Sequence, residues 1–80
     1  MRGQTARRKL SFKEQRELEA LPAEIAQLEA EQNKLYAELA DTTIYREQPE
    51  RVVDAKQRLS AIESELGAAY ERWESLEESR

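Results

Sequence analysis

Apolar residues recur at alternating spacings of three and four along two separate stretches of this chain. The first runs Leu18, Leu21, Ile25, Leu28, Leu35, Leu39, with Gln32 at its one polar position. The second runs Val52, Ala55, Leu59, Ile62, Leu66, Ala69, Trp73, Leu76. That period lays one apolar stripe down a helix and does not fit the two-residue period of a strand. Neither helix can bury its stripe alone, so two of them joined by a short connection fold back on each other. The connection is the segment DTTIYREQ, rich in β-branched and turn-prone residues, and Pro49 after it suits the first position of a helix. The fold class predicted is all-α, an antiparallel two-helix coiled-coil hairpin over residues 11–80, with helices at about 12–40 and 49–78 and a loop at 41–48. Residues 1–10 show no period and are predicted to form a flexible basic linker. Ile44 and Tyr45 are too apolar for a wholly solvated loop, and at least one of them is expected to fold back over the helix ends.

Local signals place the boundaries. Ser11 followed by Glu14 fits a capping box, in which hydroxyl and carboxylate satisfy N–H groups that the first helical turn leaves without partners. Pro22 lies within the first stripe, where it removes a helical hydrogen bond and crowds the preceding turn, so a break or kink is expected near Leu21 and Pro22. The stripe keeps its phase across the proline. Gly67 falls off the stripe, at a cost of about 1 kcal/mol relative to alanine.

Charge sets the register. With Leu18 and Val52 as heptad a positions, the g positions are Glu17, Glu24, Glu31 and Glu38 on one helix and Arg51, Arg58, Glu65 and Arg72 on the other. In an antiparallel pair g faces g. Placing Leu35 near Val52 and Leu28 near Leu59 then pairs Glu38 with Arg51, Glu31 with Arg58 and Glu17 with Arg72, leaves Glu24 beside Glu65, and sets Gln32 against the small Ala55. Exposed pairs of this kind add little stability, but they discriminate between registers. Trp73 is expected near Leu18 and Pro22. Trp73 and Phe12 are expected in the core or capping its end, while Tyr36 and Tyr70 sit at e positions on the edge of the seam.

Composition excludes several function classes. The chain has no Cys and no His, which removes disulfides, the thiol nucleophile, the usual general base and the common soft metal ligands. Its carboxylates fall on solvated flanks with no partner nucleophile, so no enzyme activity, no cofactor and no metal site are expected. No apolar run approaches the roughly 20 residues that span a bilayer, and the N-terminus lacks an apolar signal core. A cytoplasmic protein without membrane contact is expected.

The net charge of -4 hides an asymmetry. Residues 1–16 hold Arg2, Arg7, Arg8, Lys9, Lys13 and Arg16 against Glu14 alone, a balance of +5 that leaves -9 for the remainder. Cations at a helix N-terminus oppose its dipole, so this cluster does not serve the helix. Arg7, Arg8, Lys9, Lys13 and Arg16 are the candidate nucleic-acid-binding residues, making sequence-independent, salt-sensitive contacts to phosphates. The competing reading is an arm or spacer that docks on protein.

The segment KLSFKEQRELEALP resembles a motif of the C-terminal domain of the Uup-type ABC-F ATPases, K-L-S-[FY]-K-E-x-R-E-L-E-x-L-P. Lys9, Leu10, Ser11, Phe12, Lys13, Glu14, Arg16, Glu17, Leu18, Glu19, Leu21 and Pro22 carry the match. Tyr45 and Pro49 around the loop, and Tyr70, Arg72, Trp73 and Glu74 in the pattern Y-x-R-W-E, extend the likeness to about residues 8–78. The resemblance implies a coiled-coil hairpin appended to a cytoplasmic protein with two ATP-binding cassettes, acting on nucleic acid or the ribosome, with a tail associated with DNA binding. The partners implied are DNA, RNA or the ribosome, and the cassette domains of the parent chain. This sequence has no G-x-x-x-x-G-K-[ST] phosphate loop, so ATP binding belongs to the parent.

Overall fold

A computed structural model of the protein describes residues 10–79. They form three helices, α1 (Phe12–Ala40), α2 (Thr43–Glu47) and α3 (Pro49–Ser79), and no strand occurs among them. The two long helices run antiparallel along a body of 64 × 18 × 16 Å.

The start of α1 follows from its sequence. Ser11 adopts an extended backbone, its hydroxyl accepts from the Glu14 N–H at 3.1 Å, and the Glu14 carboxylate accepts from the Ser11 N–H at 2.9 Å. Leu10, the last residue of the predicted linker, is instead 8% exposed in a cluster with Leu18, Leu21 and Leu76, against which Ala69 and Trp73 pack. An apolar residue just before an N-cap commonly fixes how the chain enters its helix. The Gln15 side chain adds a hydrogen bond to the Leu10 carbonyl at 3.3 Å.

Of the break or kink predicted near Leu21 and Pro22, helical structure shows no break. α1 continues through Pro22. Proline deprives the Leu18 carbonyl of its partner four residues on. Leu18, Leu21 and Ile25 on either side are all buried, and their burial holds the turn in place against that loss.

Toward the loop, a second cluster joins Leu35, Ala55 and Ile62, with Leu28, Leu39, Leu59 and Leu66 packed around them. Gln32 is half-buried while Ala55 is fully buried, as the register requires of a long polar residue facing a small one. The predicted loop is not wholly irregular, since residues 43–47 form the short helix α2. Asp41 organises it: its carboxylate accepts from the Thr43 N–H at 3.0 Å and from the Thr43 hydroxyl at 2.8 Å. Ile44 is half-buried, as expected of one loop residue folding back, and Tyr45 stays exposed with the Lys56 ammonium 5.9 Å from its ring centroid.

Gly67 lies inside α3 without a positive φ, and a Cβ added there meets nothing within 4 Å. Gly67→Ala is therefore expected to stabilise the fold by about 1 kcal/mol, read as a raised midpoint in urea denaturation followed by circular dichroism. Ile62 is 0% exposed. Ile62→Ala is expected to cost about 2–5 kcal/mol in the same assay, through lost burial and the cavity it leaves.

Candidate nucleic-acid interface

One flank of the seam carries the ion pairs. Arg72 donates from Nε and Nη2 to the two carboxylate oxygens of Glu17 at 2.7 and 2.9 Å. Arg58 grips Glu31 in the same two-pronged way at 2.7 and 2.8 Å, and its remaining nitrogen lies 3.4 Å from Glu65. Arg51 donates twice to one oxygen of Glu38, at 2.9 and 2.6 Å. All three cross-helix pairs predicted from the heptad are formed. The repulsion predicted between Glu24 and Glu65 is eased on one side, since Arg58 serves Glu65 along its own helix.

The opposite flank holds a contact that sequence reasoning missed. The Tyr70 hydroxyl donates to Glu29 of α1 at 2.7 Å, and its ring lies 6.4 Å from that of Trp73 at a 35° tilt. Both Glu29 and Tyr70 occupy e positions, but the register that sets Glu31 against Arg58 does not set them opposite one another, so the heptad carries no signal for this contact, which the length of the two side chains makes possible. Tyr36, also at an e position, is exposed.

The hydrogen bonds move the proton affinities of the groups they join. Arg72 beside Glu17, and Arg58 beside Glu31, hold those carboxyls below their ordinary value of 4.5. The same bonds push the two guanidinium groups further toward the charged form. The hydroxyl and N–H of Thr43 lower Asp41, and the bond to Glu29 raises the Tyr70 phenol above 10.0.

The sequence-predicted site residues divide into two groups. Arg7, Arg8 and Lys9 lie outside the described residues. Lys13 and Arg16 are exposed on the first turns of α1, at heptad positions c and f on the side away from the seam. Neither forms an ion pair among the described residues, in contrast to Arg51, Arg58 and Arg72. Arg16 instead places its guanidinium carbon 5.8 Å from the centroid of the Phe12 ring. Phe12, expected in the core or capping its end, is corrected by the structure to 74% exposed. Its heptad position, b, turns it to the outer side of α1, and Leu10 fills the end of the core in its place. Trp73 packs against the Leu18 and Leu21 cluster as expected.

Among the described residues, no group of three or more carboxylates is placed to hold a metal ion, no helix is long and apolar enough to cross a membrane, and the buried side chains are all apolar. Fold and surface thus define an elongated, all-helical domain organised on one seam, with ion pairs along one flank and Lys13 and Arg16 exposed near the start of α1. Residues 9–78 match the family model described as the ABC transporter C-terminal domain, and the chain belongs to that family, as a C-terminal domain of the Uup-type ABC-F kind. It is 47% identical over 73 residues to an "ATP-binding protein Uup-like" of Haemophilus influenzae, a match covering 90% of this chain and 16% of the relative. An "ATP-binding protein Uup" of the same organism is also 47% identical, over 90% of this chain and 11% of its own length. The "ATP-binding protein Uup" of Escherichia coli K12 is 42% identical, over 86% of this chain and 11% of its own length. The chain thus spans only a small part of these relatives. No solved structure matches it.

A folded-state pKa held low contributes stability that is present above the ordinary value and lost as pH falls through the lowered one. For Glu17 and Glu31 that loss begins as pH drops below 4.5. Melting temperature is expected to fall between pH 6 and pH 3, and to fall less in a Glu17→Gln, Glu31→Gln variant, because it no longer has those two titrating pairs.

Proposed function

We propose that this domain is a non-catalytic nucleic-acid-binding module of a cytoplasmic ABC-F ATPase, an antiparallel coiled-coil arm entered through a basic linker. Arg7, Arg8, Lys9, Lys13 and Arg16 contact phosphates, with DNA as the first partner and RNA or the ribosome as related targets. The observation that carries this reading is the exposure of Lys13 and Arg16 without ion-pair partners among the described residues, while the arginines of α3 are engaged by carboxylates of α1. Exposed cations attract a polyanion by releasing its counterions, here Lys13 and Arg16 on α1 against the carboxylates that the end of α3 brings nearby. ATP binding, which the names of the relatives give for those proteins, falls to cassette domains of the parent to which this arm is attached.

A second reading, docking on the cassette domains or on a ribosomal protein, draws support from the other end of the molecule. There Tyr45 and Val53 are exposed close to the loop.

Titration of labelled DNA with the chain, followed by fluorescence anisotropy, separates the two. Saturable binding that weakens with salt is expected. Lys13→Gln with Arg16→Gln should weaken it evenly across DNA sequences and lower the slope of log K against log salt by about 0.9 for every duplex phosphate no longer neutralised. Replacing Arg7, Arg8 and Lys9 with alanine should act in the same direction. Unchanged affinity and slope in both variants would overturn the phosphate reading and leave protein docking.

A further inference from the structure

Phe12 is the feature that packing leaves unexplained. At 74% exposure it is the most exposed large apolar side chain among the described residues, and it adjoins an apolar cluster that it does not enter. Its placement is fixed: the Ser11 and Glu14 capping box closes around it in sequence, and buried Leu10 anchors the chain two residues before it. The ring is therefore presented from a rigid helix start. Arg16, one turn on, lies 5.8 Å from its centroid, and Lys13 is exposed beside it.

We propose that Phe12 is a base-stacking platform and that the end of α1 recognises single-stranded nucleic acid, an unpaired base resting on the Phe12 ring while Lys13 and Arg16 hold the adjoining phosphates. The inference rests on the nucleic-acid reading above and narrows it. An aromatic face beside cations is how proteins hold single strands without reading sequence, since every base has a π-face to offer. In an intact duplex a side chain reaches a base face only by unstacking a base step, at a cost that an unpaired base does not ask, so the ring fits a single strand better than a duplex. An apolar pocket on a protein suits Phe12 poorly, because closing over it would strip water from Lys13 and Arg16, which have no ion-pair partners among the described residues.

The test compares wild type with Phe12→Leu, which keeps an apolar side chain but no ring, and Phe12→Tyr, which keeps the ring. Each is titrated at low salt with a labelled single-stranded oligonucleotide and with the duplex of the same sequence, helicity being checked by circular dichroism. Phe12→Leu is expected to weaken single-strand binding by about 5- to 150-fold, the range for loss of one stacked base, while Phe12→Tyr binds as wild type. Duplex binding and the salt slope should be unchanged in both. An oligonucleotide carrying 2-aminopurine should lose fluorescence on binding wild type by stacking, and should lose less with Phe12→Leu. If wild type binds with the expected salt dependence but Phe12→Leu matches it on single strands, the stacking inference falls and the phosphate reading stands. If wild type binds neither form, both fall together.

Discussion

Everything in this molecule depends on the burial of one apolar seam shared by two helices. Leu18, Leu21 and Ile25 on α1, and Val52, Ala55, Ile62 and Leu76 on α3, are buried because each helix supplies the other's missing half. A chain of this size has no second layer to fall back on. The seam explains why α1 runs through Pro22: the residues flanking the proline are among the most buried in the protein, so a local backbone loss is absorbed by packing on both sides. It also explains why the ion pairs are so regular. Once the stripes are in contact, g positions are brought opposite one another, and Arg51, Arg58 and Arg72 find their carboxylates without further adjustment.

The seam and its register were legible in the sequence because both are periodic. Spacing defined the apolar stripe, and the alternation of Glu and Arg at g positions distinguished one alignment from its neighbours. The capping box at Ser11 was legible for a different reason, being a local pattern with its own hydrogen bonds. The features that escaped are not periodic. Leu10 stands outside the heptads, and only its place before the N-cap hints that it closes the end of the core. Phe12 looked like a core residue because it is large and apolar, yet its position on the helix turns it outward. α2 arises from Asp41 binding Thr43 inside a segment whose composition suggested only a turn.

Of the candidate site, the residue types were readable and their availability was not. A sequence shows that Lys13 and Arg16 are cationic; it does not show which of the chain's cations are already committed. That distinction comes from geometry. Three arginines of α3 face carboxylates on the neighbouring helix, whereas the two cations near the start of α1 project away from it. The end of α3 brings Glu71, Glu74, Glu77 and Glu78 alongside the start of α1, so the surface there is mixed in charge and Lys13 and Arg16 stand among carboxylates.

The g-to-g pairing has a further consequence, for how such an arm can change length in evolution. Adding one residue within either long helix would rotate everything beyond it by about 100° and carry the apolar stripe off its partner. A tolerated change must restore the phase on both helices together, most simply by seven residues in each. The reach of the arm is therefore adjustable in steps of about 10 Å, one heptad at 1.5 Å per residue, with few stable lengths between. The loop is free of that constraint, so the tip can vary in shape while the distance at which it is held changes only in whole units.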